Sequence, residues 1–164
     1  MPLRMAPLLG VLTAACSGET PPGSACGPAT ARIVAVTDGD TVTTSDGERI
    51  RYLLVDSNEI TGGRNDCYGQ EARSYNQSLV LDRTVDLTYD EECRDRFGRL
   101  LAYVTVDGRE VNELLVERGY ACVLYIPPNG AERREALEAV EAQARAASRG
   151  MWGACAEGEI ACAE

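Results

Sequence analysis

Residues 31–55 read ARIVAVTDGDTVTTSDGERIRYLLV, and their pattern decides the architecture. Residues 31–37 alternate apolar and polar side chains, the period-two signature of a half-buried strand. Asp38 and Gly39 make a tight turn. Residues 41–44 and 48–55 form a hairpin around Ser45, Asp46 and Gly47, so three strands precede any helix. Outward from there, 57–68 is a loop rich in Asn, Gly and Arg. A helix follows over 69–81, with Ala72, Tyr75 and Leu79 on one face. Strands are predicted at 84–89 and 100–106, the second ending in the turn Asp107-Gly108. A short helix over 111–118 stops at Gly119, and a last strand covers 121–125 before Pro127-Pro128. The final helix, 131–148, is entered through Asn129 with Glu132 three residues later, in the manner of a capping box. This order predicts an α+β domain: a five-stranded β-barrel with a helix inserted after the third strand, and about three helices in all.

The bulk numbers restrict function. The chain has 164 residues, 45% hydrophobic and 26% charged, which suits one globular domain. Its net charge is −10. A chain that packages nucleic acid carries a broad basic field, because counterion release drives its affinity. An acidic chain binds polyanions locally, through a few placed cations. There is no histidine, which removes Ser-His-Asp triads, Cys-His pairs and imidazole-bound zinc. Hydrolytic chemistry here must rest on carboxylates, arginines and a hard metal ion. All 16 cations are arginine.

The N-terminus reads as an export signal. Arg4 precedes an apolar stretch over 5–15, too short to span a bilayer. It ends in Thr13-Ala14-Ala15-Cys16, a lipoprotein-type cleavage sequence in which Cys16 is the lipidated residue. The expected organisation is a signal peptide over 1–15, a flexible Pro-rich tether over 16–29, a domain over 30–153 and an acidic, cysteine-containing tail over 154–164. The protein is expected outside the bacterial cytoplasm, either membrane-anchored through Cys16 or secreted or periplasmic. Of seven cysteines, Cys16 aside, six remain, and an even number in an exported chain points to disulfides. The sequence alone does not choose their pairing.

Three segments carry polar residues that a core does not demand: Asp38-Gly39-Asp40-Thr41, the run from Arg51 through Asp56, Ser57, Asn58 and Glu59, and Asp95-Arg96-Phe97-Gly98-Arg99. Alternation places Arg51 on the side of Leu53 and Val55. An arginine directed into a barrel end needs a carboxylate or a phosphate. Asp40, Asp56 and Glu59 offer hard oxygens suited to Ca2+, with one carboxylate left as a base.

Taken in order, these segments closely resemble the staphylococcal nuclease family. The resemblance runs from Ala31 to Trp152, through the Asp38-to-Val42, Arg51-to-Asp56, Tyr68-to-Ala72, Asp95-to-Tyr103, Val111-to-Val116 and Gly150-Met151-Trp152 segments. It implies an OB-fold (Greek key) barrel and Ca2+-dependent hydrolysis of DNA and RNA to 3′-phosphate products by a monomer, with single-stranded substrate preferred. By motif position it makes Asp40 and Asp56 the calcium carboxylates and the main-chain carbonyl of Ser57 a further ligand. Asp38 is an outer-shell partner, Glu59 the proposed general base, and Arg51 and Arg99 the phosphate-binding arginines. Phe97 and Tyr125 stand where nucleotide-contacting aromatics lie.

The sequence departs from the family pattern at Asn58, where a proline is usual and a looser Glu59 loop is expected. Phe97 replaces a tyrosine, and Pro127 takes the place of a second stacking aromatic. The fold implied by the resemblance brings Cys67 and Cys93 to loops near the site, so a Cys67–Cys93 bridge is expected. Two rival readings remain: a non-catalytic OB-fold module binding nucleic acid or protein, and a surface protein that binds calcium structurally. Such modules have usually lost the carboxylates and arginines present here, and the second leaves Arg51 and Arg99 without a purpose.

Overall fold

The computed structural model describes residues 24–156 and 158–160. The expected signal peptide, Cys16 and the first part of the tether lie outside the described residues, as does the end of the acidic tail.

Strands β1 (Thr30–Val36), β2 (Thr41–Thr44) and β3 (Arg49–Tyr52) form an antiparallel meander, and the short β4 (Val55–Asp56) follows. Helix α1 (Gly69–Val80) precedes β5 (Thr84–Thr88) and β6 (Leu100–Val106). Then come β7 (Arg109–Glu110), α2 (Val111–Glu117), β8 (Cys122–Val123), α3 (Arg134–Ala146) and α4 (Met151–Ala154). β1 pairs with β5, β5 with β6, and β6 closes on β3 in parallel, which completes the expected five-stranded barrel. Ile33, Val42, Ile50, Leu100, Val104 and Leu115 fill its interior.

β1 serves two partners. Its first residues pair with β5 and its later ones with β2, and the register shifts between Ile33 and Ala35. That irregularity puts Ile33 and Val36 in the core and leaves Val34 at 44% exposure, so the strand does not keep the simple alternation its sequence suggests.

The expected strand over 48–55 is broken after Tyr52. Tyr52, Leu53, Leu54 and Val55 are all buried, which one two-faced strand cannot achieve. The chain therefore turns at Leu54, whose φ is 63°, and β4 leaves the barrel to pair with β8. The buried Asn112 of α2 stabilises this corner by donating to the Leu53 carbonyl at 2.8 Å and accepting from the Val104 N–H at 3.0 Å.

On α1, Gly69, Ala72, Asn76 and Val80 form the buried stripe, with Tyr75 and Leu79 partly buried beside it. α2 ends before Gly119, as expected. Its φ is 74°, and a Cβ there would lie 2.2 Å from the Arg149 carbonyl oxygen, so only glycine fits. The final helix starts at Arg134 rather than 131, and no side chain caps it. Asn129 does not cap because both its amide groups are engaged elsewhere, with the Glu92 N–H at 2.7 Å and the Glu92 carbonyl at 2.9 Å.

The cysteines pair differently from expectation. Cys93 is joined to Cys26 and Cys67 to Cys155, not to each other; Cys122 is also disulfide-bonded. The end of the expected tether is thereby fixed rather than free. Besides the Cys26–Cys93 bond, the Pro28 carbonyl accepts from the Tyr89 hydroxyl at 2.7 Å and the Ala29 carbonyl accepts from the Leu87 N–H at 2.8 Å.

Candidate active site

Three chain segments meet at one end of the barrel: the turn between β1 and β2, the β3–β4 corner with the residues just after it, and the turn entering β6. The first supplies Asp38, Asp40 and Thr41, all buried. The Asp38 carboxylate accepts from the Asp40 N–H at 3.1 Å, which curls the turn around Gly39.

Arg51 is 9% exposed and links the segments. Its Nε lies 3.2 Å from Asp40 Oδ1, and its Nη2 donates to Asp56 Oδ1 at 2.8 Å. Its Nη1 donates to the Tyr52 carbonyl at 2.8 Å and also to that of Val55. The corner after Tyr52 thus bends its own carbonyls onto the guanidinium, a placement that strand alternation did not foresee. A buried guanidinium held through all three of its nitrogens is a rigid cation, and Nη2 keeps a further N–H beyond its bond to Asp56.

Asp40 gathers further donors. Thr41 Oγ1 donates to its Oδ1 at 3.0 Å, and the Ser57 N–H and hydroxyl donate to Oδ2 at 2.7 and 3.0 Å. The Ser57 side chain therefore orients a candidate ligand, beyond any role of its carbonyl. Burial, and then the neighbouring Asp40 charge, push the Asp38 carboxyl up to about 7. Burial also raises Asp56, against the pull of Arg51, with Asp40 and Glu59 adding repulsion. The site thus concentrates more negative charge than Arg51 neutralises.

Arg99 approaches from the turn before β6. Asp95 shapes that turn by accepting from the Phe97 and Arg99 N–H groups, each at 2.9 Å, and it holds Arg99 Nε at 2.7 Å. Burial works to raise the Asp95 carboxyl, but the Arg99 hydrogen bonds outweigh it and hold the group below its usual range. Arg99 Nη1 lies 3.5 Å from Thr41 Oγ1, which brings the second arginine to the edge of the carboxylate turn.

Beside these groups lies a groove of about 530 Å³. Arg51, Asp56, Asp95, Arg96, Phe97 and Arg99 line its polar side, and Leu53, Leu54, Leu124 and Ile126 its apolar side. Phe97 is 62% exposed, with the Arg96 and Arg99 guanidinium carbons 4.8 and 5.5 Å from its ring centre. Tyr125 does not line the groove: its ring packs on the core, 4.8 Å from the Arg134 guanidinium. Its neighbour Ile126, 65% exposed, takes the groove position instead. Sequence reading passed over Ile126 and Leu124, which carry no polar signal. It also left Asp95 and Thr41 without roles, although both stand inside motifs it singled out.

Glu59 sits on the loop after Ser57, near enough to raise Asp38 and Asp56. Its Oε1 accepts from the Ile60 N–H, the Thr61 N–H and the Thr61 hydroxyl, at 3.0, 2.8 and 2.5 Å. These three bonds orient the carboxylate through that one oxygen. The loop is not loosened by Asn58. That side chain is 2% exposed and donates to the Cys67 carbonyl, tying the loop to the start of α1.

The family model described as "Staphylococcal nuclease homologue" matches residues 49–154. The SPbeta prophage-derived endonuclease YokF of Bacillus subtilis (strain 168) is 37% identical over 122 residues, covering 70% of this chain and 41% of that protein. Endonuclease YncB of the same organism is 36% identical over 122 residues, 70% of this chain and 57% of its own length. The chain therefore spans about half the length of these two relatives. The Thermonuclease of Staphylococcus hyicus is 31% identical over 128 residues, 75% of each chain.

Proposed function

The chain belongs to the staphylococcal nuclease family, and on that footing we propose that it is a Ca2+-dependent nuclease hydrolysing phosphodiester bonds of DNA and RNA to 3′-phosphate products. The observation that carries this reading is the junction of Asp40, Asp56, Arg51 and Arg99 at the edge of one groove.

The donor set fits a hard cation held openly rather than caged. Among the described residues no group of three acidic or cysteine side chains is placed to hold a metal ion by itself, so main-chain oxygen and water would have to complete the shell. Two carboxylates, Asp40 and Asp56, meet on Arg51, and the raised Asp38 marks a place where added positive charge is favoured. Asp40, Asp56 and the Ser57 carbonyl would hold Ca2+, with water completing its shell and Asp38 bonding to that water. Bound there, the ion supplies charge neutralisation at a phosphate oxygen.

The chain's own residues do the rest. Arg51 and Arg99 present planar guanidinium forks to the phosphate, where negative charge grows during in-line attack. Both are oriented in advance, by Asp40 and Asp56 in one case and by Asp95 in the other. Glu59 accepts the proton of the attacking water, its carboxylate oriented through the bonds on Oε1. Phe97 and the apolar wall with Ile126 hold a base splayed from a single strand, and Tyr125 supports that wall from behind. The enzyme acts as a monomer on single-stranded nucleic acid. The disulfides support a site of action outside the cytoplasm, reached by export and a lipid anchor on Cys16. Mass spectrometry finding Cys16 unmodified, or a mature start elsewhere, would remove the anchor from this account.

The test is digestion of single-stranded DNA by the purified, oxidised protein with Ca2+ and with chelator, alongside Glu59→Gln. Calcium-dependent cleavage leaving 3′-phosphate ends, slowed at least a hundredfold in the variant, is expected. Calcium-bound, folded wild type that leaves DNA intact would favour the binding-module reading.

A further inference from the structure

The carboxylate turn is braced from behind by a polar pair buried where α1 meets the barrel. Tyr52, next to Arg51 in β3, is 1% exposed, and Asn76 of α1 is fully buried. The Tyr52 hydroxyl donates to Asn76 Oδ1 at 3.0 Å, and Asn76 Nδ2 donates to the Asp38 main-chain carbonyl at 3.2 Å. The Tyr52 main chain joins the same site twice. Its N–H donates to the Asp40 carbonyl at 2.9 Å, and its carbonyl accepts from Arg51 at 2.8 Å. One residue therefore connects to both ends of the Asp38-Gly39-Asp40 turn and to the arginine facing it.

A buried hydroxyl and amide contribute nothing to a core that a Phe and a Leu would not, and they must be desolvated. The turn, however, needs support. Asp38 and Asp40 repel each other, and their side chains would splay if the backbone could yield. Gly39 is already wedged: a Cβ there would lie 2.6 Å from the Ser57 Cβ and 2.8 Å from the Ala72 Cβ. Asn76 stands one helical turn beyond Ala72 and fixes the carbonyl just before this wedge. Burial drives the Tyr52 phenol far above its usual range, so it remains a donor at every working pH.

We propose that Tyr52 and Asn76 are positioning residues that fix the spacing between the Asp38-Gly39-Asp40 turn and Arg51, and thereby set the affinity of the site for Ca2+ and the aim of Arg51. The inference rests on the calcium-nuclease reading above. Neither residue touches ion or substrate; both act through the backbone of the turn and the Arg51 guanidinium.

The experiment compares wild type, Tyr52→Phe and the double variant Tyr52→Phe/Asn76→Leu, all oxidised. Calcium affinity is read by titration calorimetry, kcat and KM on single-stranded DNA, and Tm by circular dichroism. The double variant removes both partners of the Tyr52–Asn76 bond but leaves the buried Asp38 carbonyl without its donor, so Tm falls by a few degrees while the protein stays folded. The double variant should nevertheless bind Ca2+ at least fivefold more weakly, with kcat at saturating calcium at least tenfold lower and KM within twofold. A folded double variant with unchanged calcium affinity and kcat overturns the proposal. If the double variant does not fold, Tyr52→Phe decides alone: about threefold weaker calcium binding supports the brace, and unchanged binding and kcat overturn it. Failure of the underlying reading is distinguishable, because wild type itself would then neither bind Ca2+ nor cleave, and the proposal would fall with it.

Discussion

Arg99 enters the groove on a turn that the Asp95 carboxylate shapes from within, so removing Asp95 keeps both arginines but releases the hold on Arg99. Asp95→Ala is expected to lower kcat/KM by roughly tenfold to a hundredfold, the usual result of a misplaced transition-state donor. Steady-state kinetics beside an unchanged circular dichroism spectrum would check it. Asp38 gives a prediction in pH. In the metal-free protein its carboxyl titrates at about 7 instead of 3.8, so the folded state holds a proton that the unfolded chain has released. The unfolded chain binds fewer protons in that window, and stability falls as pH rises from about 4 to about 7. Asp56, also raised, adds in the same direction, whereas the lowered Asp46 and Asp95 act oppositely and only below the usual carboxylate range. Thermal melts of chelated protein across that range should show the decline, and Asp38→Asn, which keeps the acceptor for the Asp40 N–H, should flatten it.

Among the elements, the helix ends are the most exacting. Gly119 combines a left-handed backbone with the Arg149 carbonyl packed against it, so Gly119→Ala should destabilise the fold by about 2–3 kcal/mol in denaturant titration. Its role was legible as a helix stop, because a glycine after a periodic apolar run has a local cause. The corner at Leu54 was not legible. Four consecutive apolar residues read as a strand, and only the competition for burial among Tyr52, Leu53, Leu54 and Val55 forces the turn that wraps Arg51. Asn129 likewise carried a capping signal, but Glu92, distant in sequence, claimed its amide. Arg51, Asp40 and Asp56 stood out because charged residues at a barrel end need an electrostatic reason, whereas the roles expected of Asp38 and Arg99 came from the family resemblance. Ile126 escaped because an apolar residue needs none.

At the scale of the whole molecule, local positive charge works against an acidic background. Net charge is −10, yet Arg51, Arg96 and Arg99 line one groove. With two or three phosphates contacted, binding of single-stranded DNA to calcium-loaded Glu59→Gln should weaken with salt at a logarithmic slope of about −2. Fluorescence anisotropy across a salt series would measure it, and a much steeper slope would mean a wider basic surface than the groove provides. The Cys26–Cys93 and Cys67–Cys155 disulfides join residues 67 and 88 positions apart and tie the segments before β1 and after α4 to loops at the rim. Reduction of each should cost roughly 2–4 kcal/mol, seen as a lower Tm in reductant. Their pairing could not be read from the sequence, because it depends on where the chain ends are led after the barrel has closed.

The measurement that reaches the centre of the account is a calcium titration of wild type and Asp40→Asn, with binding followed by calorimetry and single-stranded DNA cleavage assayed at the same calcium concentrations. The account predicts one site in wild type, cleavage that rises in step with its occupancy, and loss of both in Asp40→Asn. Cleavage that proceeds without calcium, or an Asp40→Asn protein that binds calcium and cleaves like wild type, would contradict it.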